Sequence, residues 1–271
     1  MRVAPAAELG TAKLLEVFNE GFSDYLVPLQ LDEATLGAHL RENDIALDRS
    51  PVALADEPAA FALLGVRGDD AWIGGMATVP AQRRHGLARK MLDAAIESAR
   101  EAGCSTMWLE VVDRNAAAVA LYRARGFAQV RDLTVWSLPA PDRAGEATCT
   151  VAAQEAAAWI AGHREEREPW QRADRTLARL REAGAALRGV VLERSGEIAG
   201  AAVYRDANTV SVFQLAAADD EAAAALLCAA ANGRDLHVTN APADGRVSRV
   251  LEAHGANAIA GQHEMRLDLS S

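Results

Sequence analysis

The stretch from Gly74 to Leu92 constrains this chain more than any other, because it joins a strand, a tight basic turn and an amphipathic helix in one short run. It reads Gly-Gly-Met-Ala-Thr-Val-Pro-Ala-Gln-Arg-Arg-His-Gly-Leu-Ala-Arg-Lys-Met-Leu. Pro80 has no backbone N–H to donate and so ends the strand. Gly86 then lets the backbone curl closely around whatever sits at the helix start. Behind it Met91, Leu92, Ala95, Ile96 and Ala99 recur at helical spacing, so a helix of about four turns follows. A helix N-terminus carries unpaired N–H groups and a partial positive charge, and here Arg83, Arg84, His85 and Arg89 surround it. That combination suits a polyanion, most simply a pyrophosphate.

Composition bounds the rest. The chain has 271 residues, 50% of them hydrophobic, enough for one large core or two ordinary ones. A net charge of −10 argues against nucleic acid or an anionic membrane as the main partner. Cationic small molecules or basic peptides would suit such a surface, although solubility alone explains it as well. Cys104, Cys149 and Cys228 lie far apart and show neither metal spacing nor the even count of a disulfide framework. The simplest expectations are a reducing cytoplasm and no metal. The N-terminal Met-Arg-Val-Ala-Pro-Ala-Ala-Glu-Leu lacks the apolar run of a signal peptide, and no stretch is long enough to span a membrane.

Around the central stretch the elements alternate. Arg2 to Pro5 reads as a strand. A first helix beginning at Ala6 carries Leu14, Leu15 and Phe18 and ends near Gly21. The aromatic segment Phe22 to Pro28 leads to a second helix with Leu36, His39 and Leu40. Strands follow at Pro51 to Ala55, Ala60 to Arg67 and Ala71 to Val79, where Gly74 and Gly75 mark a bulge or a close backbone approach. After the long helix, Gly103 reads as a C-cap and Thr106 to Val112 as an apolar strand. A helix through Leu121 and Tyr122 then reaches Gly126-Phe127, and Phe127 to Val130 with Leu133 to Leu138 reads as a closing hairpin.

Two of these segments carry a family resemblance. Arg83-Arg84-His85-Gly86-Leu87-Ala88 resembles the Arg/Gln-x-x-Gly-x-Gly/Ala signature of the GNAT superfamily of acyl-CoA-dependent N-acyltransferases. Leu109 to Val112 with Asn115, Leu121-Tyr122 and Gly126-Phe127 is similar to that family's second motif, in the right order and on the right elements. The resemblance covers roughly residues 2 to 138. It implies an α+β fold with a mixed sheet, acetyl-CoA as co-substrate, and a pyrophosphate held at Arg83, Arg84, His85, Gly86, Leu87, Ala88 and Arg89. It further implies that a bulge splays the strand holding Thr78 and Val79, so that their backbone reaches the pantetheine arm.

The resemblance also assigns chemistry. Moving an acetyl group from a thioester to an amine requires a base for the amine, an acid for the departing thiolate, and alignment of the two substrates. Tyr122 is the implied general acid. Glu110 is the candidate base, a carboxylate in an apolar strand whose spacing to Tyr122 matches enzymes that acetylate protein N-termini. A salt bridge to Arg114, Arg123 or Arg125, or an ordered water chain in place of a dedicated base, stays open. Asn115 would contact the pantetheine or cap its helix. Arg123 or Arg125 could reach the 3′-phosphate, but the two read first as a solvated basic face. Phe22 and Tyr25 would touch the acceptor or staple two helices to the core.

Pro139 to Glu146 is proline-rich and polar and reads as a linker, giving expected divisions of 1–138, 139–148 and 149–271. The last part repeats the element order of the first: a helical region from Ala153 to Gly184, three strands, an Ala/Leu helix at Glu221 to Ala231, a strand, a helix at Val247 to His254, and a strand at Glu264 to Leu269. Aligned on its glycines, Leu251 takes the place of Tyr122 and Thr239 that of Glu110. Ala216-Ala217-Ala218-Asp219-Asp220-Glu221 replaces the basic turn with carboxylates, which would repel a phosphate. The expectation is therefore two similar domains in tandem, the second degenerate. The first would acetylate a primary amine by direct attack in a ternary complex. A small-molecule amine is the first choice of acceptor. A peptide N-terminus is the runner-up, a non-catalytic acyl-CoA-binding regulator is the rival of another class, and a homodimer stays open.

Overall fold

Strand β3 is buried from Ala59 to Leu64 without interruption, so it needs packing on both faces. The computed structural model, which describes residues 1–26, 29–141, 146–164 and 166–270, places it at the centre of the first of two units. The chain runs β1 (Arg2–Pro5), α1 (Gly10–Gly21), α2 (Glu33–Glu42), β2 (Pro51–Leu54), β3 (Pro58–Arg67), β4 (Asp70–Thr78), α3 (Leu87–Glu101), β5 (Thr106–Val112), α4 (Ala116–Arg123) and β6 (Ala128–Leu138). The same order then recurs as β7 (Thr148–Val151), α5 (Ala153–His163), α6 (Asp174–Glu182), β8 (Leu187–Arg194), β9 (Glu197–Arg205), β10 (Val210–Ala217), α7 (Asp220–Ala231), β11 (Leu236–Pro242), α8 (Arg246–Ala253) and β12 (Asn257–Asp268). The fold is α+β with a mixed sheet in each of two similar tandem units, as expected.

In the first unit β1 to β4 form an antiparallel meander, and β5 joins β4 in parallel. Phe18 stacks on Phe61 at its centre and lies tilted against Phe22, with ring centroids 5.5 and 4.8 Å apart. Full burial of side chains such as Phe61, Leu63 and Leu64 stabilises the unit by about 2 kcal/mol each. Helix α3 buries Leu87, Met91, Leu92, Ala95, Ile96 and Ala99, the face its spacing predicts, and Gly103 follows it at φ 82°. Helix α2 starts on Asp32, whose carboxylate accepts the Thr35 N–H at 2.7 Å. The first helix differs from expectation: Ala6–Glu8 form a 3-10 turn, and the α-helix begins only at Gly10.

In the second unit β7 to β10 are antiparallel and β11 joins β10 in parallel at Val210–Leu236 and Ser211–His237. The expected helical region 153–184 is two helices separated by a 3-10 turn at Trp170–Arg172.

The units are not consecutive halves of the chain. The first comprises Met1–Val130 with His263–Ser271, and the second comprises Arg131–Gln262. The expected division around residues 139–148 is replaced by this interleaving, for two physical reasons. The expected hairpin at 127–138 is a single strand, because Arg131 and Asp132 supply none of the positive-φ residues that a tight hairpin turn needs. Its residues Leu133–Leu138 pair antiparallel with β11. Met265 and Leu269, meanwhile, are buried in the first unit's core, and the Leu269 N–H donates to the Ser105 carbonyl at 2.8 Å. Residues 142–145 of the expected linker lie outside the described residues. No helix of the described residues is long and apolar enough to cross a membrane.

Candidate active site

The site begins where β4 leaves β5. Their parallel pairing runs from Asp70–Thr106 to Ile73–Leu109 and stops. Across β3, Leu63 faces Gly75 and Leu64 faces Ile73, which leaves Gly74 as the extra residue of a bulge. Only glycine fits there: a Cβ on Gly74 would lie 2.4 Å from the Trp72 ring and 2.8 Å from Ile45. Beyond the bulge, Gly75 to Thr78 stay paired with β3. Thr78 is buried, and its Oγ1 has no hydrogen-bond partner among the described residues. Val79 is also buried, its N–H on the Ala59 carbonyl at 2.9 Å.

Next comes the basic turn. Arg84 and Gly86 are both left-handed, at φ 63° and 76°, and such alternation curls successive N–H groups into an anion-binding concavity. Helix α3 then begins at Leu87 without a side-chain cap. The Lys90 N–H bonds the Gly86 carbonyl at 3.0 Å, so the amides of Leu87, Ala88 and Arg89 precede the first intrahelical bond and have no carbonyl of their own helix to reach. Arg84 and His85 are exposed, and Arg89 lies 3.8 Å from Asp93. An uncapped helix start, two left-handed residues and a buried hydroxyl lacking a partner fit the pyrophosphate and amide-bearing arm of acetyl-CoA.

Arg83 is placed differently from its expected role. Its Nη1 and Nη2 each lie 2.6 Å from one Asp24 carboxylate oxygen, its Nε donates to the Thr78 carbonyl at 3.1 Å, and Nη2 also reaches the Gly21 carbonyl at 3.2 Å. Four donor contacts occupy the guanidinium, leaving little for a phosphate. Asp24 in turn is held below the usual carboxylate range by Arg83.

The residues expected to act on substrate converge. Asn115 caps α4, its Oδ1 accepting the Ala118 N–H at 3.2 Å. Tyr25 stands edge-on to Phe22 at 5.1 Å. Phe22 is buried against Phe18 and Phe61, so of the two aromatics Tyr25 is the one that reaches the site. Tyr122 is buried beside Phe127, and burial pushes its phenol above the ordinary range, with Tyr25 close enough to add to the shift. Burial also raises Tyr25, an effect opposed by Asn115. Both phenols therefore keep their protons at neutral pH.

Glu110 lies on the half-buried face of β5, opposite buried Leu109 and Val111. Its Oε2 accepts the indole N–H of buried Trp72 at 2.7 Å. The three arginines weighed as its partners engage other groups: Arg114 faces Asp113, Arg123 faces Gln129 and Arg125 faces Asp93. Above Trp72, His39 Nε2 sits 3.0 Å from the Gly74 carbonyl and the Asn43 amide lies 3.3 Å from Nδ1. These contacts suit a neutral ring with its proton on Nε2, and burial holds its pKa below the usual imidazole value.

Sequence reasoning missed Asp24, Trp72, His39 and Asn43. Trp72 carried a usable signal, two residues before the bulge glycine and able to reach across to β5. Asp24, beside Tyr25, carried none that distinguished it from a loop carboxylate.

The second unit has the same frame filled otherwise. Phe213 is the extra residue of the β10 bulge, between Val212–Tyr204 and Gln214–Val203. Arg172 donates from Nε to the Phe213 carbonyl at 2.6 Å and from Nη1 to the Asn240 carbonyl at 3.3 Å, tying β10 to β11 where the first unit leaves its strands apart. Asp219 caps α7 through the Ala222 N–H at 2.8 Å. The amides of Phe127 and Ala256 bond the carbonyls of Tyr122 and Leu251, so Leu251 occupies the place of the phenol.

Residues 12–127 match the Acetyltransferase (GNAT) family. The chain is 44% identical over 69 residues to the [ribosomal protein bS18]-alanine N-acetyltransferase of Escherichia coli strain K12, covering 26% of this chain and 47% of that protein. It thus spans about half the length of the curated relatives it matches. Among solved structures it resembles a putative acetyltransferase from Pyrococcus horikoshii, with TM-score 0.70 and 17% identity over 98% of this chain and 88% of that one. It also resembles a tandem GNAT protein from the clavulanic acid biosynthesis pathway, with TM-score 0.65 and 15% identity over 100% and 99% of the two chains.

Proposed function

We propose, from the match of residues 12–127 to the Acetyltransferase (GNAT) family, that the first unit transfers an acetyl group from acetyl-CoA to the α-amine of a peptide. The observation that carries the reading is the splayed β4 edge, with the buried Thr78 hydroxyl at its end, leading into the uncapped start of α3. Bound acetyl-CoA supplies the thioester carbonyl that the amine attacks. The backbone from Arg84 to Arg89, with the Arg84, His85 and Arg89 side chains, holds the pyrophosphate. Thr78, Val79 and Asn115 line the arm. Glu110, oriented by the Trp72 N–H, takes the proton that the amine sheds as the N–C bond forms. Tyr122 gives its proton to the sulfur as the C–S bond breaks. Such proton transfers contribute about 10²–10⁴-fold each.

The peptide acceptor is supported by the 44% identity to the bS18-alanine enzyme and by the Glu110–Tyr122 spacing. It replaces the small-molecule amine as first choice. The second unit is a degenerate copy, with Arg172 across its splay and Asp219 on its helix start.

The deciding experiment measures thiol release from acetyl-CoA with peptides bearing varied N-termini and with small amines, and locates the acetyl group by mass spectrometry. Modification of the peptide α-amine is expected. Turnover confined to non-peptide amines would overturn the acceptor assignment. Coenzyme A binding without turnover on any amine would favour the regulator.

A further inference from the structure

We infer that Asp24 and Arg83 form a positioning pair that locks the Tyr25 segment against the end of β4, and that Arg83 serves the acceptor side of the site instead of the pyrophosphate. The inference rests on the proposed acetyl transfer for its kinetic readout, and on geometry for everything else.

The guanidinium bridges three segments at once. It holds the Asp24 carboxylate with both terminal nitrogens, and it reaches the Gly21 carbonyl at the end of α1 and the Thr78 carbonyl at the end of β4. Bidentate guanidinium–carboxylate contact fixes direction as well as distance, which a lysine cannot reproduce. The segment is already pressed close: a Cβ added at Gly21 would stand 2.7 Å from the Ala77 Cβ. Just beyond Asp24, Tyr25 stands edge-on to Phe22 at 5.1 Å, close enough to Tyr122 to add to the upward shift of its phenol. Asp24 and Arg83 thus determine where a phenol of the site stands, while both remain partly exposed, at 55% and 40% of their side-chain surface. An exposed pair is worth little as a stabiliser of the fold. Its value lies in registering two loops, the one bearing Tyr25 and the one that becomes the anion turn.

The test compares Asp24→Asn, Asp24→Glu and Arg83→Lys in the full chain. Three readouts are taken: coenzyme A affinity by calorimetry, steady-state kinetics with the best peptide of the acceptor screen, and hydrogen exchange of the 21–26 amides. Asp24→Asn and Arg83→Lys are expected to raise the acceptor KM about tenfold, change kcat less than about threefold, and leave the coenzyme A Kd within about twofold. Asp24→Glu, which keeps the carboxylate, recovers most of the KM. Faster exchange of the 21–26 amides accompanies the two damaging variants. A coenzyme A Kd raised tenfold by Arg83→Lys and untouched by Asp24→Asn would make Arg83 a phosphate ligand and overturn the inference. So would unchanged acceptor KM and exchange in Asp24→Asn. If the wild type turns over no amine, the acetyltransferase reading fails, and exchange together with coenzyme A affinity still decides the role of the pair.

Discussion

Replacing Gly74 by alanine tests the bulge and the base together. The added Cβ would stand 2.4 Å from one Trp72 ring carbon and 2.8 Å from the Ile45 Cδ1. Ordinary contact begins near 3.5 Å, so both groups must retreat by about 1 Å. Trp72 is only 2% exposed, so its ring cannot swing out into solvent without disturbing its neighbours. Overpacking of this kind costs about 1–3 kcal/mol, which corresponds to a Tm lowered by about 3–10 °C. The displaced indole also loses its 2.7 Å bond to Glu110. A hydrogen bond to a charged group is worth about 1.5–3 kcal/mol; if most of that acts on the transition state, kcat falls about tenfold to hundredfold. Thermal melts followed by circular dichroism and thiol-release kinetics measure the two effects separately. Trp72→Phe probes the second without overpacking, because it removes the N–H and adds no atoms: the cavity it leaves lowers Tm as well, so kcat is read well below Tm, where it should fall. Gly74→Ala with wild-type Tm and kcat would refute the packing argument. Trp72→Phe with wild-type kcat would refute the role of the indole.

Other expectations follow from the same geometry. Tyr122→Phe keeps the ring against Phe127 and should lower kcat by about 10²–10⁴-fold with little change in coenzyme A affinity; an unchanged kcat, measured by thiol release, removes Tyr122 as the acid. His39 has a folded pKa below its unfolded value of 6.5 because of burial. Its neutral form therefore contributes stability that is complete above about pH 6.5 and declines as the pH falls toward the folded value. Urea midpoints between pH 8 and 5 should show that decline, and His39→Gln should flatten it. Asp219→Ala removes the cap of α7 and should cost about 1 kcal/mol in urea unfolding with no effect on coenzyme A affinity, as calorimetry would show.

What could be read from the residues depended on how local the governing physics was. Helix α3, its basic turn and the glycine after it follow from spacing, proline and glycine chemistry within one short run, and each stands where that chemistry puts it. The Gly74 bulge was legible for the same reason. Asn115 and Tyr122 could be placed on one short helix after β5, because a strand and the helix after it are tied by a short connection. Arg83 escaped. Its charge is a property of the sequence, but its partner Asp24 is 59 residues away in the chain, and no periodicity connects them. Arg172 escaped likewise, since a 3-10 turn in a stretch read as helix gives no warning that its last residue will reach into a gap between strands. The interleaving escaped because strand partners are chosen by tertiary competition, which a run of alternating residues does not encode.

Because the first unit includes His263–Ser271, its completion is tied to the order of synthesis. At ribosomal rates of about 5–20 residues per second, the residues that carry Tyr122 leave the tunnel on the order of ten seconds before Met265 and Leu269 exist to fill the core beneath them. A nascent chain broken off within that interval carries every residue of the proposed chemistry and an unfinished core to hold them. The proposed activity then requires that translation has passed Leu269. A gene fragment ending at the proline-rich stretch should yield a protein that a protease recognises before any acceptor does.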